Sequence, residues 1–548
     1  MTHVCVPIMV ESVEAALRAA QRAEHVGADL VEFRIDGFFG RDEHAGAEAI
    51  IRLVADSALP TIVTCRVETE GGRYTGDEHT RAGLYRALAE APTPPAYLDV
   101  ELASLERTQS LTDLARALRS RRDSGAVAPG VIVSMHDLHG RPADLTRQLA
   151  RARALESASV LKVAFRARSL RDNLELFEIL ATRDRPTVAL GMGEFGLMSR
   201  VLAPKFGAFL TFASLDATSG SAPGQPTISD LLGLYRFRSI TLSTRVYGVI
   251  GWPVDRSLSP MVHNAAFESV GYDGVYLPLP VPPEWEHFKA TLGVLVDDPR
   301  LDFAGASVTI PHKEHLVRFA RERADDGWRL DELSSACGAG NTLTRVEDGW
   351  LVSNTDAPAL VDCLRRAGLE PRGARVLILG AGGVARAAAA GLGAEGARIT
   401  ICNRSPDRAE ALARELSPFV KRQGGGISAE TIGAALLGES DVIINATPVG
   451  MSDGPEPDGA PLDLSVVVEA GSTPHVFDTV YKPRATPLLR TARSLGLRVT
   501  DGVDLFTRQA AEQSRLFTGV ECAQVIERVS RDHEAQALCD QDRLDSTI

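Results

Sequence analysis

A single lysine interrupts an apolar, strand-like run at residues 159–165. Because strand side chains alternate between two faces, Lys162 shares its face with Val160 and Ala164. The opposite face is wholly apolar and should pack against helices, which turns Lys162 toward the interior of a sheet or barrel. An uncharged lysine amine in an apolar interior can attack a ketone and form an imine. The pattern therefore indicates Schiff-base chemistry, with a salt-bridged structural lysine as the alternative.

Other polar side chains fall on the same inner face by the same parity. They lie near the C-terminal ends of their runs, where barrel enzymes carry their chemistry, and they are Glu32, Arg34, Asp36, Thr64, Arg66, Ser134 and His136. Burying so many charges costs free energy unless they pair and serve a ligand. We expect Arg34 and Arg66 to depress the pKa of Lys162. His136 is the expected proton shuttle near neutral pH, although a hydrogen-bonded core histidine and a structural Glu32–Arg34 ion pair are alternatives.

Eight short strand-like runs alternate with helical stretches through the first 240 residues or so. They cover 4–9, 29–36, 60–66, 97–101, 130–137, 159–165, 186–192 and 206–213. Segments rich in Ala, Leu and Arg, with helical period, lie between them. Eight βα units in this length predict a (β/α)8 TIM barrel, since a doubly wound open sheet seldom needs eight strands.

A second α/β block opens at Ala374 with a strand, a glycine-rich turn and a helix start. Gly380 permits the tight bend, Gly382 lets a pyrophosphate approach the backbone, and Ala385 lets helix and strand pack closely. A tight turn without a ligand is the alternative. Further strand-like runs follow at 397–402, 441–445, 475–479 and 497–500, whereas the glycine run 424–426 is expected to be exposed loop. This block predicts a Rossmann-type nucleotide-binding domain.

The end of the second strand in this block indicates which nucleotide binds. NAD-selective folds place an acidic residue there, but here the strand leads into Asn403, Arg404 and Ser405. An arginine at this point suits the 2′-phosphate of NADP. An ordinary exposed arginine is the alternative.

Polar residues also collect between the two blocks, after a short polar stretch at 237–245 that is expected to be a linker. The candidates are Ser257, Ser259, Thr309, Lys313, Asn341 and Asp356. A ligand with several hydroxyls and one carboxylate calls for such side chains. Taken singly, Ser259 and Asp356 are typical helix caps, and Lys313 is typical of a surface lysine.

Composition limits the class of protein. The 548 residues exceed one core, so two large or three small domains are expected. A net charge of −13 disfavours nucleic acid as the main partner. No apolar run reaches the roughly 20 residues that span a bilayer, and the N-terminus lacks a signal-peptide pattern. Seven scattered cysteines without a CxxC pair indicate a reducing compartment, so we expect a cytoplasmic protein. We also expect no metal and no membrane partner.

Residues 1–238 carry a set of motifs in a definite order. They are Glu32-Phe-Arg34-Ile-Asp36, Thr64-Cys-Arg66 with Glu70-Gly-Gly, Ser134-Met-His136-Asp137, Lys162-Val-Ala, Met192-Gly through Ser199-Arg200, and Ser221-Ala-Pro-Gly-Gln225. This set resembles type I 3-dehydroquinate dehydratase. The resemblance implies that Lys162 forms an imine with the C3 ketone of 3-dehydroquinate. It also implies that His136 removes the C2 proton and helps to expel the C1 hydroxyl as water.

The same resemblance implies substrate contacts. Arg200, Ser221 and Gln225 would hold the carboxylate and ring hydroxyls, and a bidentate guanidinium suits a carboxylate. The remaining residues, Glu32, Arg34, Arg66 and Glu70, would orient the ring and tune Lys162 and His136.

Residues 246 to about 528 resemble shikimate dehydrogenase. The motifs are S-x-S-P, VTIPHK, GAGNT, NTD, GAGGxARA, NRS, NATPVGM, Tyr481-Lys-Pro and Asp501-Gly-Val followed by Gln509 and Gln513. The resemblance implies a Lys313–Asp356 dyad in which Lys313 handles the proton on the C3 oxygen. It implies substrate binding by Ser257, Ser259, Thr309, Asn341, Tyr481, Gln509 and Gln513, and NADP binding by Gly380, Ala381, Gly382, Gly383, Val384, Ala385, Asn403, Arg404, Ser405, Thr447, Met451 and Gly502. After NTD the family usually has glycine; here Ala357-Pro358 follow, and we expect Asp356 to be undisturbed because proline suits a first helical turn.

Together the two halves predict consecutive steps: dehydration of 3-dehydroquinate to 3-dehydroshikimate, then NADPH-dependent reduction to shikimate. We expect a barrel at 1–238, a substrate subdomain at 246–357, a nucleotide subdomain at 358–502, a helical return at 503–530 and a flexible tail at 531–548. A quinate dehydrogenase in the second half is one alternative. A non-catalytic sensor of pathway metabolites is another, but Lys162, His136, Lys313 and Asp356 are all retained. The oligomeric state is left open.

Overall fold

The computed structural model of the chain describes residues 1–39, 43–217, 220, 222–469 and 471–533. The chain divides into two compact units, Met1–Thr244 and Arg245–Ile548. None of the helices within the described ranges combines the length and apolar character needed to cross a bilayer.

The first unit is a parallel eight-stranded sheet that curls into a nearly closed barrel. Its strands are β1 (His3–Met9), β2 (Leu30–Arg34), β3 (Thr61–Thr64), β4 (Tyr97–Glu101), β5 (Gly130–Asp137), β6 (Val160–Arg166), β7 (Thr187–Met192) and β8 (Leu210–Phe212), in the order β7-β6-β5-β4-β3-β2-β1-β8. The Phe209 N–H donates to the Thr187 carbonyl at 2.8 Å, beside the two edge strands, and brings the edges together. The predicted (β/α)8 fold is confirmed.

Helices follow the barrel strands as the helical period predicts. They are α1 (Val13–His25), α2 (Asp36–Phe39), α3 (Glu43–Ala55), α4 (Glu78–Glu90), α5 (Leu102–Arg107), α6 (Gln109–Asp123), α7 (Leu145–Ala154), α8 (Asp172–Ala181) and α9 (Leu197–Val201). In α1, for example, the Ser12 hydroxyl accepts the Ala15 N–H, and the alanines at helical spacing are buried. Inside the barrel, apolar side chains from every second strand position, such as Leu30, Ile132 and Val160, form a packed layer.

The predicted linker at 237–245 is wrong as to its bounds and its character. Phe237 and Ile240 are buried, and Arg238 pairs with Asp29 at 2.9 Å. These contacts bind the stretch to the barrel unit, because two apolar anchors and a salt bridge outweigh its polar composition. The second unit begins at Arg245.

The second unit opens with a mixed six-stranded sheet. Its strands are β9 (Arg245–Gly251), β10 (Gly274–Pro280), β11 (Phe303–Val308), β12 (Trp328–Leu330), β13 (Thr342–Val346) and β14 (Gly349–Ser353), in the order β10-β9-β11-β13-β14-β12. Its helices are α10 (Ser259–Ser269), α11 (Trp285–Asp297), α12 (Lys313–Glu322), α13 (Glu332–Cys337) and α14 (Asp356–Arg366).

A parallel six-stranded sheet follows. Its strands are β15 (Arg375–Leu379), β16 (Arg398–Cys402), β17 (Gly426–Ala429), β18 (Val442–Asn445), β19 (His475–Asp478) and β20 (Val499–Thr500), and its helices are α15 (Gly383–Ala394), α16 (Pro406–Arg422), α17 (Ala434–Glu439), α18 (Ser465–Glu469), α19 (Pro487–Ser494) and α20 (Gly502–Thr518). The order β17-β16-β15-β18-β19-β20 is that of a Rossmann sheet, as predicted. Sequence reasoning missed β17: Gly426, expected in an exposed loop, begins this edge strand beside β16.

The chain then returns to the first sheet of the unit. Phe506 and Ala510 of α20 pack on Val262 and Ala266 of α10, and Ile526 joins the same apolar cluster. Residues 523–533 are helical, so the predicted tail at 531–548 begins inside a helix; positions 534–548 lie outside the described residues.

Candidate active sites

Lys162 lies inside the barrel and is buried between two carboxylates. Its Nζ is 3.1 Å from Glu32 Oε1 and 3.0 Å from Asp99 Oδ2, and it lies 4.6 Å from the centre of the Phe212 ring. The sequence predicts Arg34 and Arg66 beside the lysine, but its two hydrogen-bond partners are carboxylates, and one of them comes from β4, a strand that the parity argument did not use. These two ion pairs hold the amine in place.

Asp99 and Glu101 were not among the predicted site residues. Arg66 pairs with Asp99 at 2.8 Å and with Glu101 at 3.0 Å, and the Ser134 hydroxyl donates to Asp99 at 2.6 Å. Burial alone would raise the pKa of Asp99, but Arg66 and Lys162 hold it well below its usual range. Asp99 is therefore a permanent anion beside the lysine. The two-residue spacing of Asp99 and Glu101 in the strand-like run 97–101 could have identified them, because it places both on one face.

His136 lies on the neighbouring strand β5, two residues after Ser134, which pairs in register with Lys162. Glu70 Oε2 accepts the His136 backbone N–H at 3.0 Å and lies 3.0 Å from Nδ1. Burial, together with Arg66 and Lys162, lowers the pKa of His136 well below its usual range. Burial raises the pKa of Glu70 to about 7. When Glu70 is ionised it accepts the Nδ1 proton, so Nε2 carries the free lone pair of a base.

Arg200 is a buried cation with no ion pair to any described residue. Its Nη1 is 3.5 Å from the Phe212 carbonyl, its Nε has no hydrogen-bond partner in the described part of the chain, and burial lowers the pKa of the guanidinium to about 10. A buried arginine in this state fits an incoming carboxylate. Gln225 is half-buried in the loop after β8, whereas Ser221 lies outside the described residues.

The other predicted barrel residues are held by protein partners. The carboxylate of Asp36 pairs with the Arg34 Nε at 3.0 Å and accepts the Arg73 N–H at 2.9 Å. Arg66 is engaged by Asp99, Glu101 and Ser134, which makes it part of the network around the lysine.

The second unit brings together Lys313 and Asp356. Their Nζ and Oδ2 atoms are 2.5 Å apart, and both side chains are about one-tenth exposed. Each is the first residue of its helix, α12 and α14. The cap interpretation of Asp356 is wrong: Asn354 Oδ1 accepts the Ala357 N–H at 3.1 Å, which leaves the Asp356 carboxylate for the lysine. Pro358 is accommodated in the first turn of α14.

Hydroxyl and amide groups lie in the same part of the unit. Asn341 Nδ2 donates to Thr355 Oγ1 at 3.0 Å and lies 3.5 Å from Gln509 Oε1. The Ser257 hydroxyl accepts the Ser259 N–H at 3.2 Å; Ser259 is the first residue of α10 and not its cap, because Leu258 holds that position. Thr309 follows β11 with its N–H on the Ile250 carbonyl at 2.9 Å. The Tyr481 ring stacks on Phe506 at 5.2 Å.

The glycine-rich turn has the shape that a pyrophosphate needs. Gly380 has a φ of +117°, and a Cβ there would lie 2.7 Å from the Ala446 carbonyl oxygen. Gly382 caps α15, and a Cβ on it would meet nothing within 4 Å, which leaves room for a ligand at the helix N-terminus. Ala381 and Ala385 are buried and Val384 is half-buried. The residues present therefore fit a dinucleotide.

The end of β16 leaves an arginine exposed for the nucleotide. The Asn403 amide donates to the Ser405 carbonyl at 3.0 Å, and Arg404 forms no ion pair within the described chain. Thr447 donates to Asn445 Oδ1 at 2.7 Å, and Met451 is half-buried in the loop after β18. No group of three or more potential metal-ligating side chains is present among the described residues.

Comparison with known proteins agrees with this division. The family model of type I 3-dehydroquinase matches residues 4–241. The models of the shikimate dehydrogenase substrate binding domain and of shikimate / quinate 5-dehydrogenase match residues 249–343 and 365–450. The chloroplastic bifunctional 3-dehydroquinate dehydratase/shikimate dehydrogenase of Arabidopsis thaliana is 36% identical over 94% of this chain and 82% of its own length. The chain belongs to this bifunctional family.

Other relatives match the second half alone. The NADP+ shikimate dehydrogenase of Methanocella arvoryzae is 39% identical over 52% of this chain and 98% of its own length. The solved structure of shikimate 5-dehydrogenase from Thermus thermophilus with NADP(H) and shikimate is 31% identical, covers 53% of this chain and 99% of that chain, and has a TM-score of 0.44.

Two predicted ligand contacts of this bifunctional family member are engaged within the protein itself. Gln513 is buried; its amide donates to the Asn341 carbonyl and Thr342 hydroxyl, and its oxygen accepts the Ser307 hydroxyl at 2.7 Å. It therefore supports Asn341 and does not present a free amide. Gly502 begins α20, and a Cβ there would lie 2.3 Å from the Val480 carbonyl oxygen, so backbone packing by itself requires this glycine.

Proposed function

We propose that this protein dehydrates 3-dehydroquinate in the barrel and reduces the product to shikimate with NADPH in the second unit. The observation that carries the proposal is that one chain holds two lysines, each of which lies beside the acidic or basic side chains that its reaction needs. Lys162 lies beside the Glu70–His136 pair, and Lys313 pairs with Asp356 in the unit that holds the dinucleotide turn. Two relatives are named for 3-dehydroquinate and for shikimate, and both compounds are small hydroxylated carboxylates.

In the barrel, the Lys162 Nζ attacks the C3 carbonyl of the substrate; the carbonyl oxygen takes up the two protons that the nitrogen loses and leaves as water, and a protonated imine forms. Asp99 remains ionised and stabilises that cation. His136 Nε2 removes the C2 proton, and the electron pair moves into the imine. The C1 hydroxyl then leaves as water, with its proton supplied by His136, and hydrolysis of the imine frees 3-dehydroshikimate. Arg200 holds the carboxylate throughout, with Ser221 and Gln225 on the ring hydroxyls.

In the second unit, Lys313 donates a proton to the ketone oxygen, Asp356 holds the lysine in place, and the lysine then regains its proton from solvent. Ser257, Ser259, Thr309, Asn341, Tyr481 and Gln509 bind the carboxylate and hydroxyls. NADPH, when bound, supplies the hydride to the ketone carbon. The glycine turn receives its pyrophosphate, and Arg404 with Ser405 receives the 2′-phosphate.

The expected division of this work along the chain is also part of the proposal. Residues 246–357 carry substrate groups, 358–502 carry the nucleotide, and 503–530 return to the substrate sheet. All six cysteines described as free are buried, which supports a reducing compartment, and we propose a cytoplasmic location.

The test is a coupled assay on the purified full chain. With 3-dehydroquinate and NADPH present, we expect shikimate to accumulate as NADPH is consumed; without NADPH, 3-dehydroshikimate should accumulate instead. Absence of both products would refute the proposal. In the reverse direction with NADP+, faster turnover of quinate than of shikimate would instead identify the second unit as a quinate dehydrogenase.

A further inference from the structure

Two adjacent glycines of the dinucleotide turn face different surroundings. A Cβ on Gly382 would meet no atom within 4 Å, whereas a Cβ on Gly383 would stand 2.9 Å from the Lys313 Cβ and 3.0 Å from its Cδ. Carbon atoms pack favourably at about 3.5–4.0 Å, so the second position has no room for a methyl group. The stem of the lysine therefore crosses the space that a side chain on Gly383 would fill.

The lysine is fixed on its own side of this contact. The Lys313 carbonyl accepts the Gly340 N–H at 2.9 Å, and the Nε2 atom of the preceding His312 lies 2.9 Å from the Val281 carbonyl oxygen. The ammonium is 2.5 Å from Asp356. The start of α12 is thus held at its backbone and at its charged end, and the stem has little freedom to move aside.

The start of α15 is held as well. Arg386, on the first turn after Gly383, donates to the Cys337 carbonyl at 3.0 Å and to Glu415 at 2.7 Å. Farther along α15, a Cβ on Gly391 would lie only 2.7 Å from the Ala357 carbonyl oxygen, next to Asp356 in α14. The helix that follows the turn is therefore packed against α14, and Arg386 Nε also lies 3.7 Å from Glu314 Oε2 in the first turn of α12.

We propose that Gly383 is a positioning residue for Lys313, and that its missing side chain lets the lysine amine reach Asp356 and the ketone oxygen. Its role is then separate from that of Gly382, which leaves room for the pyrophosphate. Sequence reasoning assigned both glycines to the cofactor. This inference rests on the proposed role of Lys313 in the reduction.

The test compares Gly383→Ala with Gly382→Ala in the full chain. We expect Gly383→Ala to lower kcat for reduction of 3-dehydroshikimate by about tenfold to a hundredfold, because a displacement of about 1 Å costs such factors. Its Kd for NADPH, measured by fluorescence titration, should change less than about twofold, and the pH profile of kcat should shift as the Lys313–Asp356 pair is disturbed. Gly382→Ala should instead raise the Kd for NADPH. Unchanged NADPH affinity of Gly383→Ala reports that the second unit is folded, and dehydratase activity of the same preparations reports that the barrel is folded.

A second background separates the possible failures. Lys313→Met keeps the stem and removes the amine, so Gly383→Ala should add no further loss to its residual reductase rate. A further loss there, or a weakened NADPH affinity in Gly383→Ala alone, would assign Gly383 to the cofactor and overturn the inference. If Lys313→Met itself reduces 3-dehydroshikimate at the parent rate, the proposed function of the dyad fails instead.

Discussion

The two halves of the chain hold their lysines in opposite ways. Lys162 is almost fully buried between the carboxylates Glu32 and Asp99, which are tied in turn to Arg66, Ser134 and Thr64. Lys313 has one carboxylate partner among the described residues, Asp356 at 2.5 Å, and its stem lies against Gly383 of the glycine turn. One lysine lies within a network of paired buried charges, and the other is paired with one carboxylate.

The difference fits the role that we propose for each lysine. A lysine that forms an imine loses a proton, carries a covalent bond and regains a positive charge, so its surroundings must stabilise a cation at more than one stage. A lysine that only passes a proton to a ketone oxygen needs one partner and an open approach. The buried charge network around Lys162 therefore suits the covalent chemistry that we propose for it.

Removal of Lys162 should have the largest effect. We expect Lys162→Ala to lower dehydration by about 10⁴-fold or more while reduction of added 3-dehydroshikimate is unchanged. It should also destabilise the barrel by about 3–5 kcal/mol, because the buried Glu32 loses its cation and the buried Asp99 loses one of its two. Steady-state assays of the two reactions and chemical denaturation measure these changes.

Lys162→Arg is the matched control, because it keeps the charge between the carboxylates and cannot form the imine. It should lose dehydration as fully as the alanine variant but retain more stability. Borohydride with 3-dehydroquinate should label Lys162 of the parent protein, as peptide mass mapping can detect. An arginine variant with substantial dehydratase activity would show that the lysine acts only through its charge.

The pH dependence of dehydration should reflect Glu70. Its pKa is raised to about 7, and the ionised form orients the His136 base. kcat/KM for 3-dehydroquinate should therefore rise with pH through about 7. Glu70→Gln should lower it by about 10²-fold and remove this acid limb; an unchanged limb would assign the titration to another group. Reduction of 3-dehydroshikimate serves as the internal control.

The same carboxyl should make stability depend on pH. Because its folded pKa lies above its unfolded value, Glu70 stabilises the fold at low pH and loses that contribution as pH rises through about 7. Relative to the parent protein, Glu70→Gln should gain roughly 3 kcal/mol of unfolding free energy between pH 4 and pH 8. Denaturant titrations at the two pH values measure this change, and a constant difference would contradict it.

The smallest effect is expected in the second unit, at Arg404. Loss of one charged contact to a 2′-phosphate costs about 1.5–3 kcal/mol, so Arg404→Ala should raise KM for NADPH by about tenfold or more. KM for NADH should stay constant, since NADH lacks that phosphate. Arg414→Ala, an exposed arginine farther along α16, is the control and should change neither. Equal loss for both nucleotides would exclude the proposed contact.

Periodicity predicted much of the fold and the placement of Lys162. The strand runs and the two-residue alternation are local properties, and both survive in the barrel. The Rossmann sheet was also predictable, except for β17, whose three-glycine entry lacks any strand signal.

Partners distant in sequence could not be assigned in this way. Asp99 is 63 residues from Lys162, and Gln513 is more than 160 residues from Asn341 and Thr342. Only the folded structure shows that Asp99 pairs with Lys162 and that the Gln513 amide is hydrogen-bonded within the protein. The contact of Gly383 with Lys313 is of the same kind, because a motif defines residue types and not their neighbours.

The return of α20 to α10 has a consequence for synthesis of the chain on the ribosome. The barrel contains all of its own strands by residue 212, so it can fold while later residues are still being added. The sheet of β9–β14 cannot finish in the same way, because Phe506, Ala510 and Ile526 cover α10. During synthesis, the apolar face of α10 therefore stays uncovered until Phe506, Ala510 and Ile526 have left the exit tunnel.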